Sequence, residues 1–267
     1  MAKKYEIITQ LYERTVEELA NADAWQSFLA TACRNYKLSF DEQVLLFAQK
    51  PDATAVLPIE GEHGWNRRFG RWVNRGATGI AMFDKEHTGR SRLKYYFDIS
   101  DTHESRFAVP VPIWQMQQEF EPEVIEALGN TFGDLEDTST LAAALLSAAK
   151  NAAEDQITDY LSALSDYKAG SYLEPLDGEN LKALFQPVLQ NSISYMLLSR
   201  CGLEPAQHIP AEEFGYVQGF NTPNTMNALG VATSDISQSC LTEIARTVLA
   251  LIRAAEQNRT FAIPAEN

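Results

Sequence analysis

Cysteine is scarce, three in 267 residues. Cys33, Cys201 and Cys240 form an odd, widely spaced set without a CxxC pair, which excludes a disulfide framework. They read as small apolar thiols buried in a reducing compartment. The four histidines, His63, His87, His103 and His208, lie too far apart to share metal-ligand spacing. Also absent are the HExxH, GxxxxGKS/T, GxSxG and GxGxxG patterns that mark metallopeptidases, phosphate-binding loops, hydrolases and dinucleotide sites. The pair His103-Glu104 reads as an exposed turn after a strand. The acidic pairs Glu136-Asp137, Glu154-Asp155 and Glu212-Glu213 read as solvated helix surface. Long apolar runs are missing as well. Leu141–Ala149 ends at Lys150, well short of the about 20 residues that a bilayer-crossing helix needs. The opening Met-Ala-Lys-Lys-Tyr-Glu lacks the apolar core of a signal peptide. These absences predict a cytoplasmic chain with no catalytic constellation, no cofactor, no metal and no membrane contact.

Basic charge is short overall and concentrated. The net charge is −14. Residues 1–100 carry 14 Lys+Arg against 13 Asp+Glu, and residues 101–267 carry 8 against 23, giving +1 and −15. Within Gly64–Lys94, 8 basic residues face only Asp84 and Glu86. Such segregation predicts different partners for the two halves. The whole-chain charge excludes a protein that coats nucleic acid indiscriminately, because excess carboxylates repel phosphates. Hydrophobic residues make up 45%, enough for a real core.

Periodicity predicts an α+β fold: a small antiparallel sheet with helices in the N-terminal half, and an all-helical C-terminal half. Expected helices cover 3–20, then a segment capped by Asn21 with Trp25, Phe28, Leu29 and Cys33 on one face, then one opened by the Ser39–Glu42 capping box and ended before Pro51. Thr54–Leu57, Gly79–Phe83 and Leu93–Ile99 read as strands, with Asp84–Arg92 as a hairpin loop. Arg106–Gln118, with Pro110 and Pro112, reads as a linker. The expected domains are therefore 1–112 and 113–267. Beyond Pro122, long helices are expected from near Thr138 and over Leu181–Ser199. A short helix follows from Thr222-Pro223, and a separate final helix is capped by Ser234.

The segment from Gly64 to Ile80 alternates arginine with aromatic residues. Single-stranded nucleic acid needs cations along the phosphate track and flat side chains for unstacked bases. Arg67, Arg68, Arg71 and Arg75 supply the first. Trp65 and Trp72 supply the second, and Arg90, Arg92, Lys94, Tyr95 and Tyr96 extend the set from the hairpin. The same spacing has a plainer reading. Trp65, Phe69 and Trp72 at i, i+4 and i+7 also suit the buried face of a helix whose arginines are solvated.

Three ordered motifs carry a resemblance to a known family. FDEQVLLFAQKPDATAV (Phe40–Val56), Trp65…Gly70…Val73…Arg75-Gly76…Gly79-Ile80, and Phe97-Asp98-Ile99-Ser100-Asp101-Thr102 resemble the N-terminal domain of ArdC-type antirestriction proteins. The chain is also similar to the N-terminal part of large methylase/helicase proteins of conjugative elements. The resemblance covers roughly residues 20–110 and implies a single-stranded-DNA-binding module of a mobile genetic element. The family's Lys-Gly-Glu-Lys-Gly stands here as Arg75-Gly76-Ala77-Thr78-Gly79, and the downstream zinc-peptidase motif has no counterpart. The alternative expectation is a protein-interaction or DNA-mimic antirestriction module acting on a basic partner through the acidic half.

Overall fold

Helix α1 spans Ala2–Glu18, α2 Ala22–Ala32 and α3 Phe40–Gln49 in a computed structural model that describes residues 2–84 and 92–261. The caps are those the side chains dictate. The Asn21 carboxamide accepts from Asp23 N and Ala24 N at 2.9 and 3.2 Å, and Glu42 accepts from Ser39 N at 3.1 Å. Strand β1 (Val56–Pro58) and the five-residue helix α4 (Trp65–Phe69) follow. Then come β2 (Arg71–Val73), β3 (Ile80–Asp84), β4 (Arg92–Asp98) and β5 (Thr102–Glu104). The strands form two antiparallel sheets, one ordered β1-β4-β3 and one pairing β2 with β5.

The C-terminal half is helical, in α5 (Glu121–Phe132), α6 (Leu141–Tyr167), α7 (Gly178–Arg200) and α8 (Pro223–Phe261). Pro187 is accommodated inside α7. The α+β class expected from periodicity is the one observed. One expectation at the end of the chain is corrected: no break occurs at Ser234. Its hydroxyl lies inside the continuous α8 and donates to Gln43 Oε1 of α3 at 2.8 Å, both side chains being buried. Serine favours helix starts because its hydroxyl competes for backbone groups. Here a distant carboxamide occupies that hydroxyl, and the helix runs through.

Two apolar clusters organise the interior. The larger contains residues from both sides of position 112: Trp25, Phe28, Phe40 and Val44 share it with Val188, Leu189 and Ile193 of α7 and Leu229, Ile236 and Ile244 of α8. Trp25 Nε1 donates to Ser192 Oγ at 2.9 Å within it, so the indole meets a polar partner as it is buried. The smaller cluster sets Leu45 and Leu46 of α3 against Val56, Ile80 and Met82 of the sheet. Helix α3 therefore contributes to both.

The contact between α3 and α8 is close at Gly230. A methyl group there would stand 2.1 Å from Cε2 and 2.2 Å from Cζ of the buried Phe40 ring. Alanine in place of a helical glycine ordinarily gains up to about 1 kcal/mol. Over-packing a filled core costs about 1–3 kcal/mol, and a 2.1 Å approach makes that the larger effect. Gly230→Ala is expected to lower the thermal midpoint. Gly129→Ala in α5, where the added carbon meets nothing within 4 Å, is expected to raise it. Thermal unfolding of the two variants checks both signs.

Candidate nucleic-acid interface

The frame of the site is set by Asp98, the last residue of β4. Its carboxylate accepts from Thr54 N at 2.7 Å, Ala55 N at 2.9 Å and Ser100 N at 3.1 Å. It thus joins the entry to β1 with the turn after β4. Burial disfavours the charged form, but hydrogen bonds from Ser100 and from the backbone N–H groups of Ala55, Ser100 and Thr54 outweigh that effect and hold Asp98 below the usual aspartate range. The turn continues into β5, and Asn74 N donates to Asp101 O at 2.8 Å, which fixes the end of β2. Lys50 of the α3 C-terminus pairs with Asp101 at 2.7 Å.

Helix α4 is short because Gly70 ends it. Gly70 adopts φ +61°, its N–H returns to Asn66 O at 3.1 Å, and a Cβ at this position would lie 2.9 Å from Phe107 O. Both the left-handed backbone and the close approach require glycine. The consequence is a change of direction between Phe69 and Arg71. Trp72 therefore lies on a strand, paired with His103, and not on a helix face with Trp65.

Several residues expected at the interface are occupied elsewhere. Trp65 is fully buried (0% exposed), its ring packs against Phe69 at 5.6 Å, and its Nε1 donates to Phe97 O at 2.8 Å. It is a strut between α4 and β4 and presents no face to a base. Arg71 binds Glu104 at 2.7 Å and Thr102 Oγ1 at 2.8 Å across the β2–β5 pair, so its charge is neutralised within the sheet. Lys94 pairs with Glu42 of α3 at 2.8 Å and lies over the Tyr96 ring at 5.2 Å. Burial opposes its charge, yet the hydrogen bonds to Glu42 and Tyr96 prevail and raise its pKa. Tyr96 itself packs on the smaller core. Strand alternation sends Lys94 and Tyr96 to the α3 side and Tyr95 to the other face. Arg90 lies outside the described residues.

What remains accessible is compact in sequence. Trp72 is 52% exposed and Tyr95 41%. Arg67, Arg68 and Arg75 are exposed and form no ion pair among the described residues. Arg92 is exposed opposite Asp84 in the β3–β4 register. Gly79 passes beneath the Tyr95 and Phe97 rings, where a Cβ would come within 3.0 Å of Phe97 Cζ. His103 is exposed, with Nδ1 2.9 Å from Asn74 Oδ1. Arg106 and Phe107, in the segment expected as a linker, join these exposed side chains. Phe107 is 72% exposed, with the Arg106 guanidinium 4.5 Å from its ring centre. The adjacent arginine and aromatic repeat the signature of the 64–80 segment, but the prolines that follow hide it.

The three cysteines are buried, and burial pushes their thiols up to about 11 for Cys33 and about 12 for Cys201 and Cys240. Among the described residues no cluster of His, Cys, Asp or Glu is arranged to hold a metal ion, and no helix is long and apolar enough to cross a membrane. The structure defines an α+β protein in which the exposed Arg67, Arg68, Trp72 and Arg75 lie on and beside α4 and β2. In comparisons with known proteins, no family model matches the chain, and no curated protein or solved structure matches it.

Asp98 provides a direct test of the frame. Because its folded pKa is lowered, its contribution to stability is complete above the ordinary aspartate value of about 3.9 and is lost as the pH falls through the lower folded value. Asp98→Asn is expected to cost about 1–3 kcal/mol near neutral pH. It is also expected to flatten the loss of stability on acidification below roughly pH 4, as read from urea unfolding midpoints.

Proposed function

We propose that the chain is a non-catalytic module that binds single-stranded DNA within an antirestriction or DNA-processing protein of a mobile element. The observation that supports it most directly is the α4–β2 corner, where Trp72 is half exposed and Arg67, Arg68 and Arg75, which flank it in the chain, are exposed and not ion-paired among the described residues. An unpaired base stacks on an indole whatever its identity, and guanidinium groups meet the phosphates on either side. Duplex DNA keeps its bases stacked and offers this corner only phosphates. The resemblance of three ordered motifs to ArdC-type N-terminal domains supports the same reading.

The chain's charge of −14 limits how the site works. Repulsion from the acidic half acts over the Debye length, about 8 Å at physiological salt. Binding is therefore local and electrostatically modest. Three arginines without an ion pair among the described residues imply a slope of log affinity against log salt of roughly −2, at about −0.7 per phosphate for a single strand.

Fluorescence anisotropy with labelled oligo-dT tests the reading. Wild-type protein is expected to bind at low salt with that shallow slope. Trp72→Ala is expected to weaken binding by about 1–3 kcal/mol, and joint replacement of Arg67, Arg68 and Arg75 by alanine to remove most of the salt dependence. Folded protein that shows no binding at low salt overturns the proposal.

A further inference from the structure

Residues 105–108 form a tight turn fastened to the α4–β2 corner. Ala108 N donates to Ser105 O at 3.0 Å, and Phe107 N to Ser105 Oγ at 3.2 Å. The turn is held from outside at two points: Ser105 N donates to Gly70 O at 3.0 Å, and Val109 N to Phe69 O at 3.1 Å. The missing side chain of Gly70 leaves room for the Phe107 carbonyl. At the tip of this braced turn Phe107 is 72% exposed, the most exposed of the large apolar side chains described. A single exposed phenylalanine is ordinary on a protein surface; what distinguishes Phe107 is that its turn is hydrogen-bonded to the α4–β2 corner and that the Arg106 guanidinium lies 4.5 Å from its ring centre.

We infer that Phe107 is a second stacking position for the strand bound at Trp72, and that Arg106 contacts an adjoining phosphate. The inference rests on the single-strand reading above and extends it to a segment that otherwise only connects two halves. Three observations favour this occupant. The two rings leave one anchor, because Gly70 touches the Phe107 carbonyl and stands two residues, roughly 6.6 Å of extended chain, before Trp72. Arg106 is exposed, lies over one face of the ring at 4.5 Å, and makes no ion pair among the described residues, so cation and ring are presented together. Glu104, the nearest carboxylate in sequence, is held by Arg71, so Arg106 keeps its charge for a phosphate. The turn is ordered before binding, so little conformational freedom is lost when a base stacks on it.

The experiment uses the full chain and labelled oligo-dT, with Phe107→Ala, Phe107→Trp, Arg106→Ala and Trp72→Ala compared by anisotropy across a salt series. Phe107→Ala is expected to weaken binding roughly 5- to 150-fold and Phe107→Trp to retain it. Arg106→Ala is expected to reduce the salt slope by about 0.7. Because both side chains are exposed, thermal midpoints should stay at the wild-type value. If wild type binds and Trp72→Ala weakens it, while Phe107→Ala and Arg106→Ala behave as wild type, the second position is overturned and the single-strand reading stands. If wild type does not bind, both fall.

Discussion

The ten-residue helix α3 buries apolar side chains in two directions. Phe40 and Val44 enter the larger core with α2, α7 and α8, while Leu45 and Leu46 close the smaller core against Val56, Ile80 and Met82. A three-stranded sheet of short strands is marginal alone and needs a helix against one face. Through α3 that sheet is fastened to a large helical body. Gln43 reinforces the link from the same helix: it accepts from Ser234 of α8 and donates to Leu38 O at 2.9 Å, so this buried amide has partners on both sides. The strands are held in place by the helices packed against them.

Upon this support the arginines and lysines divide by partner. Arg71 and Lys94 have carboxylates at 2.7 and 2.8 Å and serve to hold elements together. Arg67, Arg68, Arg75 and Arg106 are exposed without such partners among the described residues. Aromatic residues divide in the same way. Trp65 is consumed by packing, and its indole N–H holds the β4 backbone, whereas Trp72, three residues past the end of α4, is half exposed to solvent. A basic, aromatic segment is thus used twice, partly as scaffold and partly as surface, and Gly70 marks the change from one to the other.

Much of this was legible in the residues. Asn21 and the Ser39–Glu42 pair announced two helix starts, because short polar side chains satisfy the first free N–H groups of a helix wherever they occur. Aromatic and branched content placed β3 and β4 within a residue of their observed bounds. The β2–β5 pair escaped notice, since three-residue strands leave too little alternation to detect. Ser234 misled for the opposite reason: a local preference for helix starts was overridden by a partner 191 positions away.

The amino-acid order by itself determined the α+β class, the helix caps, the segregation of charge and the clustering of arginine with aromatic residues. These depend on neighbours within a few positions, and local hydrogen bonding and burial period express them directly. Only the tertiary structure decided which of two tryptophans is buried, which cations are spent on carboxylates, and that a proline-bearing connection returns to brace the corner. Those outcomes depend on contacts such as Trp65 with Phe97, Lys94 with Glu42, and Ser105 with Gly70, made between residues distant in the chain. Periodicity does not encode them, because burial of a side chain is settled by whatever packs over it.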